Sequence, residues 1–232
     1  MRLLALRAGL MGCLIFVTST HAAPAEKLIT EVPKHWVKTL DRRLGNLHLV
    51  EYYPPGPAEN LTEKLTIEVL STPTPGDPLQ HAQALADTQR NQCARFSDHG
   101  VFAGIENNYP TNVTLQHCVE LTEPRGTLSR MLKIIQGQQA LYTVVRAARF
   151  KTPNTVTPGA ATRAPVDPSM LKVWSTAMRK TVLCNPVLNT PRCNAAFAQP
   201  AGFATAIDPI ADCSSGGFRA PSYCTYQVVN CI

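Results

Sequence analysis

Apolar and polar positions alternate most clearly between Leu61 and Leu70. There Leu65, Ile67 and Val69 share one face of an extended chain and Lys64, Thr66 and Glu68 share the other. A period of two is the pattern of a half-buried strand. A shorter run of the same kind spans Asn46 to Tyr52 and stops at Pro54-Pro55-Gly56-Pro57, which predicts a second strand just before the first. Asp77-Pro78-Leu79-Gln80 then begins a helix: the carboxylate caps free amides, proline suits the first turn, and the glutamine completes a capping-box pattern. Ala82, Leu85, Ala86, Cys93 and Phe96 recur at helical spacing, so the predicted helix runs to about Phe96.

Short strands follow near Val101–Ile105 and Val113–Leu121. A hairpin comes next, Leu128–Gln136 and Gln139–Phe150, with Gly137-Gln138 suited to its turn. Leu132, Ile134, Leu141 and Val145 make one of its faces apolar, and Met131, Ile135, Tyr142 and Val144 the other. A sheet apolar on both faces needs cover on both sides. Asp167-Pro168 repeats the helix-start pattern, and Leu171, Trp174, Met178 and Val182 stripe a second helix that ends near Cys184. Residues 23–44 read as a mixed leader anchored by Trp36 and Leu40, and residues 151–166 as a Thr/Pro/Ala/Gly loop. Strands joined by short connections, with two helices between them, imply an α+β domain: an antiparallel sheet flanked by two main helices. Trp36, Tyr52, Tyr142 and Trp174 read as core or hinge aromatics, and Glu51, Glu63 and Glu68 as solvent-facing strand carboxylates.

The ends of the chain change this picture. Arg2 and Arg7 precede an apolar run from Ala8 to Val17, and Thr20-His21-Ala22 supplies a small-residue cleavage site. This is the layout of a cleavable signal peptide, residues 1–22, and the run is too short for a permanent span. Leu10-Met11-Gly12-Cys13 loosely resembles a lipobox, but the apolar run continues past Cys13, which argues for a cleaved leader over a lipid anchor. Residues 23–183 then form the α+β domain and residues 184–232 a cysteine-rich extension with no lysine. The expected location is the periplasm or the exterior. There Cys93, Cys118, Cys184, Cys193, Cys213, Cys224 and Cys231 read as disulfide partners, Cys93 with Cys118 and Cys184 with Cys193 among the plausible pairs. Seven is odd, so at least one cysteine stays free, pairs between chains or binds something. No CxxC pair occurs, and His117 and Cys118 are neighbours on a strand facing opposite ways, so no metal and no cofactor is implied.

Charge is uneven. Residues 23–123 carry eight Lys/Arg against thirteen Asp/Glu, and residues 124–180 carry ten against one. Arg125, Arg130, Arg146, Arg149, Lys151, Arg179 and Lys180 are the candidates for a basic binding face toward a protein or an anionic envelope component. The competing expectation is that the two halves complement each other internally. Nucleic acid is not implied, because no aromatic residues interleave these cations.

Val50-Glu51-Tyr52-Tyr53-Pro54-Pro55-Gly56 followed by Glu59-Asn60-Leu61-Thr62-Glu63-Lys64-Leu65-Thr66-Ile67 resembles a stretch in small, functionally uncharacterised secreted proteobacterial proteins. In those an E-Y-x-P-x-G strand precedes an E-N-W-T-E-x-x-T-V strand, with Leu61 here at the tryptophan position. The arrangement is similar to the PsbP-like fold, whose members mostly bind or assist partners, so the resemblance implies an accessory protein. No G-x-S-x-G elbow, H-E-x-x-H or phosphate loop is present; Cys93 with His99 is a candidate Cys/His pair, against which stands Cys93 as a core thiol or a disulfide partner of Cys118. The expected function is non-catalytic binding in the cell envelope. A secreted hydrolase and a subunit of a surface assembly are the alternatives.

Overall fold

The computed structural model describes residues 26–56, 63–121, 126–150, 167–185 and 193–194. Nine strands and two helices are present among them: β1 (Lys27–Ile29), β2 (Val37–Leu44), β3 (Leu47–Tyr53), β4 (Glu63–Ser71), α1 (Pro78–Arg90), β5 (Cys93–Glu106), β6 (Tyr109–Leu121), β7 (Thr127–Gln136), β8 (Ala140–Phe150), α2 (Pro168–Lys180) and β9 (Val182–Cys184). Seven strands make one antiparallel sheet in the order β2-β3-β4-β8-β7-β6-β5, and β1 pairs with β9 in a separate ribbon. The architecture is α+β on an antiparallel sheet.

Each face of the central hairpin β7–β8 is covered differently. Met131, Ile135, Tyr142 and Val144 join Leu65, Ile67 and Val69 of β4 in the main core, which Trp174 and Met178 of α2 close. On the opposite face Ile134 and Leu141 pack against Ala82 of α1. Both helices begin as their sequences predict, with the Asp77 carboxylate accepting from Gln80 N at 2.9 Å and that of Asp167 from Ser169 N at 2.9 Å.

The helices end earlier than their apolar spacing predicts. Helix α1 stops at Arg90, turns at Asn91-Gln92 and passes into β5, so Cys93 and Phe96 are strand residues. The Cys93–Cys118 disulfide joins β5 to β6 across that pair of strands. Helix α2 stops at Lys180, and Val182–Cys184 pairs with β1. The mixed leader is therefore structural: Leu28 is wholly buried in the main core and Val37–Leu44 is an edge strand.

The two sheet edges differ in character. Edge strand β2 carries Lys38, Asp41, Arg42 and Arg43, charges of the kind that discourage pairing with another chain. The far edge, β5, has no charged residue between Gly100 and Ile105 and leaves Val101, Phe102 and Ile105 exposed there.

Candidate functional site

Strands β5 and β6 form a long hairpin that turns at Asn107-Asn108, both with positive φ (53° and 70°). That is the backbone of a two-residue type I′ turn, which asparagine tolerates. A bulge between Gly100 and Phe102 interrupts the pairing just before the exposed apolar stretch and re-aims it. The ring of Phe102 lies over Gly104, close enough that a methyl group there would stand 3.1 Å from its Cζ.

Between this hairpin, β7 and α2 lies a cleft of about 580 Å³, within the range of small-molecule sites. Val101, Phe102, Ile105, Val113, Met131 and Met178 supply its apolar lining, and Lys133, Glu106, Ser175 and Arg179 its polar groups. Phe102 and Ile105 are 44% and 73% exposed, so the outer wall is open.

Lys133 fixes the floor. Its side chain is buried, pairs with Glu106 of β5, and donates to Met178 O at 2.8 Å and Thr181 O at 2.6 Å. These are carbonyls at the C-terminal end of α2, where the helix leaves acceptors without partners and its dipole favours a cation. One lysine thus ties the β5 hairpin to α2 and sets the width of the cleft.

The basic residues named from the sequence do not gather into one face. Alternation places Arg130 and Arg149 on the α1 side of the sheet and Lys133 and Arg146 on the α2 side. Arg130 donates to Gln116 Oε1 at 2.7 Å and to Leu85 O at 2.9 Å, and burial lowers its pKa to about 10. Arg146 is buried, donates to Glu31 O at 3.1 Å and lies 5.6 Å from the Trp36 ring. Burial also lowers Arg149. Lys180 bonds Glu31 at 2.8 Å on the surface, while Arg179 is exposed at the rim of the cleft. Arg125 and Lys151 lie outside the described residues. Much of the positive charge is thus answered by acceptors from the first half of the chain.

The strand carboxylates are also not solvent-facing. Glu63 accepts from Trp174 Nε1 at 2.8 Å, and Glu51 takes Lys64 Nζ at 2.9 Å and the Tyr53 hydroxyl at 3.3 Å. Burial pushes Glu68 up and, with Glu51 beside it, the Tyr53 phenol up to about 12. Cys184–Cys193 is the second disulfide, and Cys213, Cys224 and Cys231 lie outside the described residues. Because Cys93 is bonded to Cys118, it offers no thiol to His99.

Sequence reasoning missed a second nucleophile–base contact, His117 Nδ1 with Ser129 Oγ at 2.9 Å. Only the β6–β7 register brings the two together. Ser129 is completely buried, so this serine cannot meet a substrate in this fold. The imidazole titrates instead: burial, and the His99 ring 6.0 Å away, hold His117 below its ordinary value of 6.5. The unfolded chain takes up that proton near pH 6.5, while the fold keeps the ring neutral further into acid. His117 therefore costs no stability above that pH and destabilises the fold as pH falls below it. Compared with His117→Asn, the wild type should lose unfolding free energy between pH 7.5 and 5.5, measured by urea melts. A constant difference between the two proteins would refute the assignment.

Among the described residues no three His, Cys, Asp or Glu side chains come together as a metal site, and no helix is long and apolar enough to cross a membrane. No protein-family model matches the chain, and no curated protein matches it. Solved structures similar to it include the Ran-binding protein Mog1p of Saccharomyces cerevisiae. That protein is 14% identical, with 69% of this chain and 92% of that chain covered and a TM-score of 0.44. LpqN, involved in cell envelope biogenesis of Mycobacterium tuberculosis, is 11% identical, with 71% and 87% covered and a TM-score of 0.39. Both likenesses are loose.

Proposed function

We propose that this chain is an exported, non-catalytic binding protein of the cell envelope and that it binds through the cleft between the β5–β6 hairpin, β7 and α2. The open apolar wall of that cleft carries the reading, because Phe102 and Ile105 remain exposed beside a floor in which the buried Lys133 pairs with Glu106. Scattered apolar surface residues are ordinary, but a contiguous set bordering a concavity of this size suits a ligand or partner. Two disulfides favour an oxidising compartment, in keeping with residues 1–22 as an export signal. Residues 184–232 are read as an extension that Cys184–Cys193 staples to the domain. The segment from Val50 to Ile67 resembles PsbP-like proteins, which mostly assist partners. The binding surface is then the cleft with its rim cations, in place of a general basic face.

The test is a titration with N-phenyl-1-naphthylamine, a neutral apolar fluorophore. Saturable binding at one site per chain is expected. Phe102→Asp should weaken it about tenfold or more, since a carboxylate would have to be desolvated against the probe. Its melting temperature should stay close to wild type. Absence of saturable binding, or equal binding by the variant, would sink the reading.

A further inference from the structure

The cleft has a chemical asymmetry that specifies more than an apolar occupant. Its one lining carboxylate, Glu106, is already paired with Lys133, and Lys133 is in turn held by the end of α2. Along α2, Lys172, Ser175 and Arg179 follow one another at helical spacing on one stripe, and Ser175 and Arg179 reach the cleft. Arg179 and Lys172 are exposed, and neither has an ion-pair partner among the described residues. Lys180 next to them does, in Glu31. Among the described residues the rim therefore presents positive charge without an ion-pair partner beside an apolar trough.

The lining is aliphatic apart from Phe102. Met131 of β7 and Met178 of α2 both line the cleft, and thioether side chains adapt to irregular, flexible apolar shapes. A rigid aromatic ligand would be better served by stacked rings and inward-pointing donors, whereas an alkyl chain needs neither. The outer wall is open along β5, so a chain lying lengthwise keeps its head at the helix rim.

We propose that the cleft binds a single-chain amphiphile with an anionic head, its alkyl chain along Phe102, Met131 and Met178 and its head at Arg179. This rests on the cleft being the binding site, and it adds what the site reads. A helix-terminal arginine also complements the α2 dipole. That role would show in stability and not in a preference among heads.

The experiment uses the mature full-length chain and follows displacement of N-phenyl-1-naphthylamine by dodecanoate, 1-dodecanol and dodecylammonium, all below their aggregation limits. Dodecanoate is expected to bind about tenfold tighter than dodecylammonium, as an exposed cation attracts one head and repels the other. Raising salt should narrow that gap. Arg179→Glu should erase or reverse the order while leaving 1-dodecanol binding within about twofold. If all three bind equally and Arg179→Glu changes nothing, the head is not read: the inference fails and the binding reading stands. If the fluorophore itself does not bind, both fail. Light scattering and vesicle sedimentation accompany the titration. A dimer that dodecanoate leaves intact, with no dodecanoate bound, overturns the proposal in favour of a second copy seated on β5. Pelleting with anionic phospholipid vesicles that Arg179→Glu abolishes, again without dodecanoate binding, overturns it in favour of a membrane surface. A monomer that stays in the supernatant with dodecanoate bound supports it.

Discussion

Lys133→Met should lower the unfolding free energy by about 2–3 kcal/mol, below the range for breaking a fully buried ion pair because Glu106 is partly exposed. Methionine fills nearly the same space, so the loss is not a cavity effect. Instead Glu106 loses the ion pair with Lys133, and the carbonyls of Met178 and Thr181 lose the hydrogen bonds that Lys133 donates. Adding Glu106→Gln should recover part of the loss, because a neutral amide facing methionine is less costly than a carboxylate there. Urea unfolding of the wild type, the single variant and the double variant measures all three. A loss below about 1 kcal/mol would mean that water substitutes for the lysine, and Lys133 would no longer explain how the cleft keeps its width.

Trp174→Ala should cost about 3–5 kcal/mol, in the range for deleting a large buried aromatic. Trp174 is wholly buried and closes the main core from the α2 side, where strands β4 and β8 present Leu65, Ile67, Tyr142 and Val144. Its indole also bonds Glu63, so Trp174→Phe separates the two contributions. Phenylalanine retains most of the packing and leaves Glu63 without its donor, for which about 1–2 kcal/mol is expected. Thermal and urea unfolding of both variants give the comparison. Similar losses for Phe and Ala would assign the effect to the hydrogen bond, and a negligible loss for Phe would assign it to packing.

The sheet was legible where one side of a strand meets the core. Leu65, Ile67 and Val69 alternate because one face of β4 is buried, and the two apolar faces of β7–β8 announced cover on both sides. The limits of the elements were less legible. Cys93 and Phe96 fit a helical stripe by spacing alone, although Asn91-Gln92 is a turn and the residues beyond it belong to an edge strand. Edge strand β5 is mostly exposed on both faces, so burial imposes no alternation that a reader could follow. The turn at Asn107-Asn108 was a stronger clue, since adjacent asparagines suit positive φ. Leu28 gave no periodic signal because a three-residue strand is too short to hold one, and Val182 fell on the apolar stripe of α2 by spacing although it belongs to β9.

The site was less legible than the fold. Counting charges along the chain predicted a basic face, but the count carries no direction. Parity would have corrected it: Arg130 and Lys133 stand three positions apart on β7 and so point to opposite sides of the sheet. Lys133 then meets Glu106 through a register that joins β5 to β7 by way of β6, a long-range relation that spacing does not encode. The cleft itself needs α2 placed over the hairpin, and the same is true of the contact between His117 and Ser129.

The ribbon of β1 and β9 gives the domain a mechanical property. Lys27 pairs with Cys184 and Ile29 with Val182, so the outer end of each strand lies beside the outer end of the other. A pull applied through residues 26 and 185 would open these hydrogen bonds one after another, as a zipper opens, and would not load them together in shear. The backbone ladders of the seven-stranded sheet are not in that line of force, although Glu26 accepts from Gln138 N at 2.9 Å and that bond to the β7–β8 turn must break as well. Release of β1 and β9 withdraws Leu28 and Leu183 from the core beneath α2, which makes tension on the chain ends a direct way to loosen the wall of the cleft.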